Sequence, residues 1–412
     1  MSGKARMEER LRQIGSPNGE TQGNTMIEKW DHKLRKFSNL IEEDYKENRE
    51  SREEFLKKIE ILKEVEQYLA ENIFNKTIEG VLYKLKAVVP FGSSASGLGM
   101  KGGDLDMIVC VHPAVGRKNK RLIHERSNDI LRVIFEHIEK EDMLTDRDVT
   151  EMEHIDRANV PIITGYIDGV QIDISISMGY VVSAQYLAAK FVDAYEKYDR
   201  RFILLAAFVK KWHKSMKNDQ NEDYHRQVCP NSCSTVLFVV LFMKHYGLLP
   251  DINRIHKDKL GEHNITWNMV KQGENGAFGI SKKDVLEYSN TSSYDVNLGT
   301  LFLLFLDFYS NVVDLRMERL VIGDGVVRLK KRCINKNRVI VSDVLDGDNP
   351  AKSVIEVGEY QSILRQAIAS IKSLDGAKLL KAELLSHTLV KPPMTNKRLD
   401  RLRQLGIFSR KR

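Results

Sequence analysis

Residues 91–107 read FGSSASGLGMKGGDLDM. The stretch follows an extended apolar run, Ala87-Val88-Val89, and leads into another, Leu105–Val111. Asp104 and Asp106 stand two apart where the second run begins. On a strand, side chains two apart share a face, so both carboxylates address one site. Carboxylates so spaced suit a divalent cation of the magnesium type, which takes oxygen ligands. Phe91-Gly92-Ser93-Ser94 supplies the other half. Small residues let backbone N–H groups approach a phosphate, and a helix starting there adds its N-terminal dipole. The Ser93 hydroxyl can donate a further bond. Alone, either motif is an ordinary turn or strand end. Together they point to a triphosphate held beside metal ions.

A third carboxylate sits in Val170–Ser177, VQIDISIS. The alternation turns Val170, Ile172, Ile174 and Ile176 to the core and Gln171, Asp173, Ser175 and Ser177 to the other face. An aspartate in mid-strand calls for a partner or a metal. If this strand lies beside that of Asp106, three carboxylates converge. Three carboxylates can hold two metal ions, one activating a hydroxyl and the other steadying a leaving pyrophosphate.

Around these motifs the chain divides. Residues 1–25 are polar and lack apolar periodicity, which predicts a disordered lead. From Met26 to Phe74 the pattern is helical, with Phe55, Ile59, Leu62, Val65 and Leu69 at spacings of three and four. Ile162–Ile167 and Val170–Ile176 flank Asp168-Gly169, a hairpin signal, and a helix is expected between Leu122 and Ile138. From Tyr180 onward the reading is mostly helical, over Phe202–Trp212, Ser234–Tyr246, Leu298–Val313 and Tyr360–Leu374. Val326–Val341 interrupts it as a possible hairpin. From Lys391 the sequence is a basic tail.

The 412 residues carry a net charge of +7, which permits a polyanionic partner without requiring one. Four cysteines (Cys110, Cys229, Cys233, Cys333) in so long a chain make no disulfide framework and favour a reducing compartment. The polar N-terminus is unlike a secretory leader, and the longest apolar run, Val236–Met243, is too short to span a bilayer. The expectation is a soluble intracellular protein with no membrane partner.

The motif set resembles the DNA-polymerase-β-like nucleotidyltransferase superfamily, and most closely its template-independent RNA-tailing branch, the cytoplasmic poly(A) polymerases and terminal uridylyltransferases. The family pattern of Phe-Gly-Ser, Gly and Asp-x-Asp is present as Phe91-Gly92-Ser93, Gly97, Asp104 and Asp106, and the third family aspartate matches Asp173. The resemblance implies an α+β fold: a small mixed-sheet nucleotidyltransferase catalytic domain over 60–178 and a helical central (PAP-associated) domain over 179–375. Helices in 26–59 would pack with the central domain, and 376–412 would be the tail. It implies two Mg²⁺ or Mn²⁺ ions, an NTP substrate and an RNA 3′ end as acceptor. Asp104 and Asp106 would bind both metals and Asp173 the catalytic one. Lys210 and Lys214, i and i+4 on one helix face, match the family's triphosphate-binding lysines, and Ser234 would join Ser93 and Ser94 there.

The departures concern base recognition. The family's Ser-Ser-Tyr falls on Cys233-Ser234-Thr235, and Thr235 cannot stack on a base. Tyr180 or Phe238 would have to serve. The Asn-Thr pair near the ribose appears as Ala184-Gln185, with Gln185 as its substitute. The loop of the Asp-Pro-Phe-Glu-x-x-His-Asn type reads SDVLDGDN over 342–349, so the histidine is replaced by Asp348. A carboxylate only accepts hydrogen bonds. Uracil offers N3–H and guanine N1–H and N2–H₂, whereas adenine and cytosine offer only an exocyclic amine. Asp348 or Asp346 would then favour UTP and GTP, with ATP still possible. A nematode member that lays down alternating U and G, a poly(UG) polymerase, would suit such a pocket. A solvated acidic turn is the equal alternative.

Weaker signals remain. His225, Cys229 and Cys233 have zinc-like spacing without an evident fourth ligand. Arg117, Lys118, Lys120 and Arg121 could track an RNA backbone or form a solvated loop. No dedicated RNA-binding module is recognised, so an RNA-binding or adaptor protein is expected to select the substrate. Cytoplasmic residence is expected, in RNA granules among other places, with nuclear import through the basic tail as another reading. A poly(A) polymerase and a catalytically inactive scaffold are the competing functions.

Overall fold

The computed structural model describes residues 3–15, 23–113, 119–140, 146–158, 160–178, 192–196, 198–216, 226–251, 295–322, 325–330, 337–342 and 349–373, with 115, 144 and 189. Its helices include α1 (Gly3–Gly15), α2 (Gly23–Asn48), α3 (Arg52–Tyr68), α4 (Gly92–Ala95), α5 (Lys120–Glu139), α6 (Arg200–Ser215), α7 (Ser232–His245), α8 (Leu298–Asp307) and α9 (Val357–Ser373). The strands are β1 (Thr77–Ile78), β2 (Val81–Leu82), β3 (Lys84–Phe91), β4 (Leu105–His112), β5 (Val149–Ile155), β6 (Ile162–Ile167), β7 (Val170–Ser177), β8 (Glu318–Val321), β9 (Val326–Leu329) and β10 (Val341–Ser342).

Period-two alternation produces a five-stranded sheet in the order β3-β4-β7-β6-β5. β4 and β7 run parallel, and the remaining neighbours are antiparallel. The β6–β7 hairpin turns at Asp168 and Gly169, both with positive φ, as the Asp-Gly signal predicts. One sheet face, with Ile172, Ile174, Met107 and Val109, is covered by Ile130, Leu131 and Ile134 of α5 and by Ile61, Leu62 and Val65 of α3. Ser51 starts α3 with a capping box closed by Glu54.

A second core joins α2, α6, α7, α8 and α9. Phe37, Phe208, Trp212 and Phe302 meet edge to face at its centre. By length and composition Arg226–His245 could cross a membrane, yet 72% of its apolar window is buried inside this core. The small sheet β10-β8-β9 sits on this half. Its hairpin starts at Glu318, ahead of the segment read as one.

Two sequence expectations change. Gly3–Gly15 is a helix, not a disordered lead. Met7 and Ile14 are buried, Leu11 packs beside them, and Arg10 pairs with the buried Asp307 at 2.8 Å. Three apolar residues in an otherwise charged stretch form a helical stripe too thin for composition to reveal. The change of core falls at the α2–α3 corner, earlier than the break expected after residue 59, because α2 enters the helical core and α3 the sheet's. The apolar stripe of α3 also starts late. Phe55 is 39% exposed, and Lys58 takes the buried position at 3%. The tail expected over 376–412 lies outside the described residues.

Candidate active site

Strand register assembles the carboxylates. Asp106 and Asp173 are direct partners across the parallel β4–β7 pair, and Phe91 faces Asp106 from β3. Asp104 immediately precedes β4. Oxygens of Asp104, Asp106 and Asp173 lie within 4.8 Å of one another. The convergence read from sequence is therefore present. Among the described residues this is the one group placed to share a metal ion.

The electrostatics state what the cluster lacks. Burial, then the charges of Asp104 and Asp173, push the Asp106 carboxyl up to about 7. Burial also raises Asp173, opposed by a hydrogen bond from Thr164. Asp173 Oδ1 is buried with no hydrogen-bond partner. Mutually repelling carboxylates and an orphaned oxygen form an all-oxygen donor set that a divalent cation would satisfy, and Mg²⁺ or Mn²⁺ fits that chemistry.

Gly92 has φ +67°, and a Cβ there would lie 2.0 Å from Asp106 Oδ2. The turn thus needs glycine for its backbone and to leave room for the carboxylate. Ser93 is half-buried in the turn beside Gly92. Ser94 does not. It is buried, donates to Glu50 and to the Asp104 carbonyl, and accepts from Lys58. Its expected role as a phosphate ligand is corrected to a structural one.

Opposite the carboxylates stands α6. Lys210 feels Asp104, Asp106, Lys214 and Cys233; burial lowers its pKa, and the two aspartates oppose that fall. Lys214, one turn on, is exposed. Lys211 turns away and pairs with Asp44 at 2.6 Å. Of the two lysines expected on one face, Lys210 interacts with the carboxylates and Lys214 with Lys210.

The α7 N-terminus is the other wall, and here the sequence register was off. Asn231 caps the helix by accepting from the Ser234 N–H. Ser232 and Cys233 are exposed in the first turn. Ser234 and Thr235 are 0% exposed; the Ser234 hydroxyl has no partner, and Thr235 is hydrogen-bonded to His213. Ser234 is therefore a core residue, and Ser232 and Cys233 occupy the mouth. Recognising Asn231 after Pro230 as an N-cap would have found the register. Phe238 is also ruled out as a base platform, since it is fully buried and stacked on Tyr309 at 4.6 Å.

Asn349 accepts from the N–H groups of Val341 and Ala351, and Asn231 donates to the Pro350 carbonyl at 3.1 Å. These bonds tie the segment after Asp348 to the α7 wall. Asp346, Asp348, Gln185, Tyr180, Arg117, Lys118 and His225 themselves lie outside the described residues. Lys120 begins α5, and Arg121 is exposed and paired with Glu125. Cys229 is buried against Met216, its thiol pushed up to about 12 by desolvation, which suits a core cysteine.

Residues 37–186 match the family described as "Poly(A) RNA polymerase, mitochondrial-like, central palm domain". The chain is 24% identical over 308 residues to the Drosophila melanogaster protein named poly(A) RNA polymerase gld-2 homolog A. That match covers 71% of this chain and 20% of the relative. Among solved structures, mtPAP in complex with UTP superposes with a TM-score of 0.64 at 16% identity, covering 86% of this chain and 73% of the other. The GLD-2/RNP-8 complex gives 0.62 at 17%, covering 86% and 98%. Cid1, solved in relation to its RNA terminal uridylyl transferase activity, gives 0.57 at 21%, covering 85% and 98%. At these identities the structural matches establish a shared α+β fold.

Proposed function

We propose that the chain, whose residues 37–186 match the central palm domain of mitochondrial-like poly(A) RNA polymerases, is a metal-dependent enzyme adding ribonucleotides to RNA 3′ ends without a template. The observation that carries this reading is the acidic triad, within 4.8 Å and with one orphaned oxygen. Asp104, Asp106 and Asp173 would hold Mg²⁺ or Mn²⁺, which supplies activation of the 3′-hydroxyl and neutralises charge on the leaving pyrophosphate. The Gly92-Ser93 main chain, Lys210 and Lys214 would orient the triphosphate against that end, with α7's exposed first turn beside them. Named relatives of both the poly(A) and uridylyl type support the reaction class.

On nucleotide choice, we propose a lean toward U and G, set by Asp348 or Asp346 of the acidic loop. What supports this is chemical: Asp348 or Asp346 would accept hydrogen bonds that uracil N3–H and guanine N1–H can donate. Adenylation, as in the named poly(A) relatives, is the second reading. RNA selection by an adaptor protein is supported by GLD-2 having been solved with RNP-8. We propose cytoplasmic residence, which four cysteines in 412 residues favour.

Primer extension tests the reading. A short RNA is supplied with Mg²⁺ or Mn²⁺ and each NTP singly, then with all four and sequencing of the product. Extension by UTP or GTP that vanishes in Asp104→Ala/Asp106→Ala supports both parts. Extension by ATP alone keeps the enzyme and removes the acidic-loop argument. No extension under any condition, with or without a candidate adaptor, overturns the reading in favour of a scaffold.

A further inference from the structure

Lys58 is the most deeply buried lysine side chain near the triad, and its surroundings are specific. Its ammonium has three N–H donors and three acceptors: Glu50, in a short ion pair, the Ser94 hydroxyl at 2.9 Å and the Asp104 carbonyl at 3.1 Å. Those acceptors belong to three different pieces of chain. Ser94 sits in the turn beside Gly92-Ser93. Asp104 is the first residue of the acidic triad. Glu50 sits in the α2–α3 corner.

The same corner grips the loop that delivers Asp104. The Glu50 N–H donates to the Gly99 carbonyl at 3.0 Å, and the Lys101 N–H to the Asn48 carbonyl at 2.7 Å. Glu54 accepts from the Gly102 N–H, and Arg49 bridges Met100. Gly99 must be glycine, because a Cβ there would lie 2.5 Å from Glu50 Oε2. The loop is moulded against the corner, and Lys58 closes the mould from beneath.

We propose that Lys58, with Glu50, is a positioning residue for the metal site: its ammonium fixes the distance between the phosphate turn and Asp104. The inference rests on the metal-dependent reading above. A purely structural ion pair would serve the fold wherever its charges met. This one spends two of its three bonds on the two motifs that must act together. Its ammonium bonds the Asp104 main chain rather than a triad carboxylate, and its charge also lowers the Asp106 pKa, against the rise from burial.

Removing Lys58 alone strands a buried Glu50 and risks unfolding. The test therefore uses the Glu50→Gln/Lys58→Met double variant beside Ser94→Ala and Asp104→Ala/Asp106→Ala, all in the full chain. Mn²⁺ affinity is measured by titration without nucleotide, together with thermal stability and the Mg²⁺ dependence of primer extension. The expected result is a folded double variant whose Mn²⁺ affinity falls about tenfold or more. Its half-saturating Mg²⁺ rises in step, and its KM for RNA stays the same. Ser94→Ala should show the same change, smaller. Wild-type metal affinity in a folded double variant would overturn the proposal, as would failure of both Glu50→Gln/Lys58→Met and Ser94→Ala to fold, which would mark the network as structural. Mn²⁺ binding that is equal in wild type and Asp104→Ala/Asp106→Ala would instead remove the metal-site reading, and the inference with it.

Discussion

The two walls of the site are built in opposite ways. The sheet wall gathers three negative charges through strand register, so backbone pairing places Asp106 against Asp173 regardless of what surrounds them. The helical wall gathers Lys210, Lys214 and the α7 N-terminus from two helices whose positions depend on the aromatic core behind them. The sheet wall is electrostatically frustrated, and the helical wall supplies the compensating charge of Lys210. Substitutions on the first should strike chemistry, and on the second binding.

The strongest test of the contrast is Asp104→Ala/Asp106→Ala. Extension should fall by about 10³-fold or more, the scale of losing preorganised charge at the reacting centre. Circular dichroism should stay near wild type, and the metal-free variant should melt no lower than wild type at pH 8. Gly92→Ala comes next, because its methyl would displace Asp106 without altering any carboxylate. A misplacement of this size should cost about 100-fold in kcat. On the other wall, Lys210→Met should act mainly through the KM for NTP. The loss expected for a charged hydrogen bond is about 1.5–3 kcal/mol, or roughly 10- to 150-fold in kcat/KM. Lys211→Met, which breaks only the Asp44 pair, should leave the KM for NTP unchanged.

A fourth test reads the frustration itself. The folded Asp106 carboxyl titrates near 7, above the ordinary 3.8. Without metal, the folded state therefore holds a proton that the unfolded chain releases. The contribution of this group to stability is greatest below pH 3.8, declines as pH rises, and reaches its full cost above pH 7. Asp106→Asn should raise the melting temperature of metal-free protein at pH 8 by a few degrees and have little effect at pH 4. Mg²⁺ or Mn²⁺ should stabilise wild type increasingly with pH and the variant much less. The smallest effect is expected from Ser234→Ala. Its hydroxyl is buried and unpartnered, so extension kinetics should stay within about twofold while stability holds or rises slightly.

The same division governs what could be read from the sequence. Asp104, Asp106, Asp173 and the Asp168-Gly169 turn were legible because a strand's period of two and a turn's φ requirements are local. The α7 mouth was not. With no tyrosine to mark the motif, nothing short of the Asn231 cap distinguishes Ser232 and Cys233 from Ser234 and Thr235, and a shift of one position exchanges surface for core. Lys58 was hidden more thoroughly. A charged residue beside the apolar stripe of α3 reads as solvent-facing until Glu50, Ser94 and the Asp104 carbonyl are seen around it. The α1 helix is not legible because its thin stripe, Met7, Leu11 and Ile14, is anchored by the Arg10–Asp307 pair, whose partner lies almost 300 positions away.

The pairing of α2 with α8 also bears on how the protein is made. Ser38 accepts the Gly299 N–H at 2.8 Å across 261 positions, and a Cβ on Gly299 would lie 2.2 Å from the Leu34 carbonyl. On the ribosome α2 emerges 261 positions before its close-fitting partner. The sheet and α3, contiguous in sequence, can close during translation. The helical half must wait for α8, with Phe37 and Ile41 uncovered meanwhile. Nascent chains arrested before residue 298 should therefore protect the sheet from protease while leaving α2 open, a vulnerable interval in which a chaperone would find its binding surface.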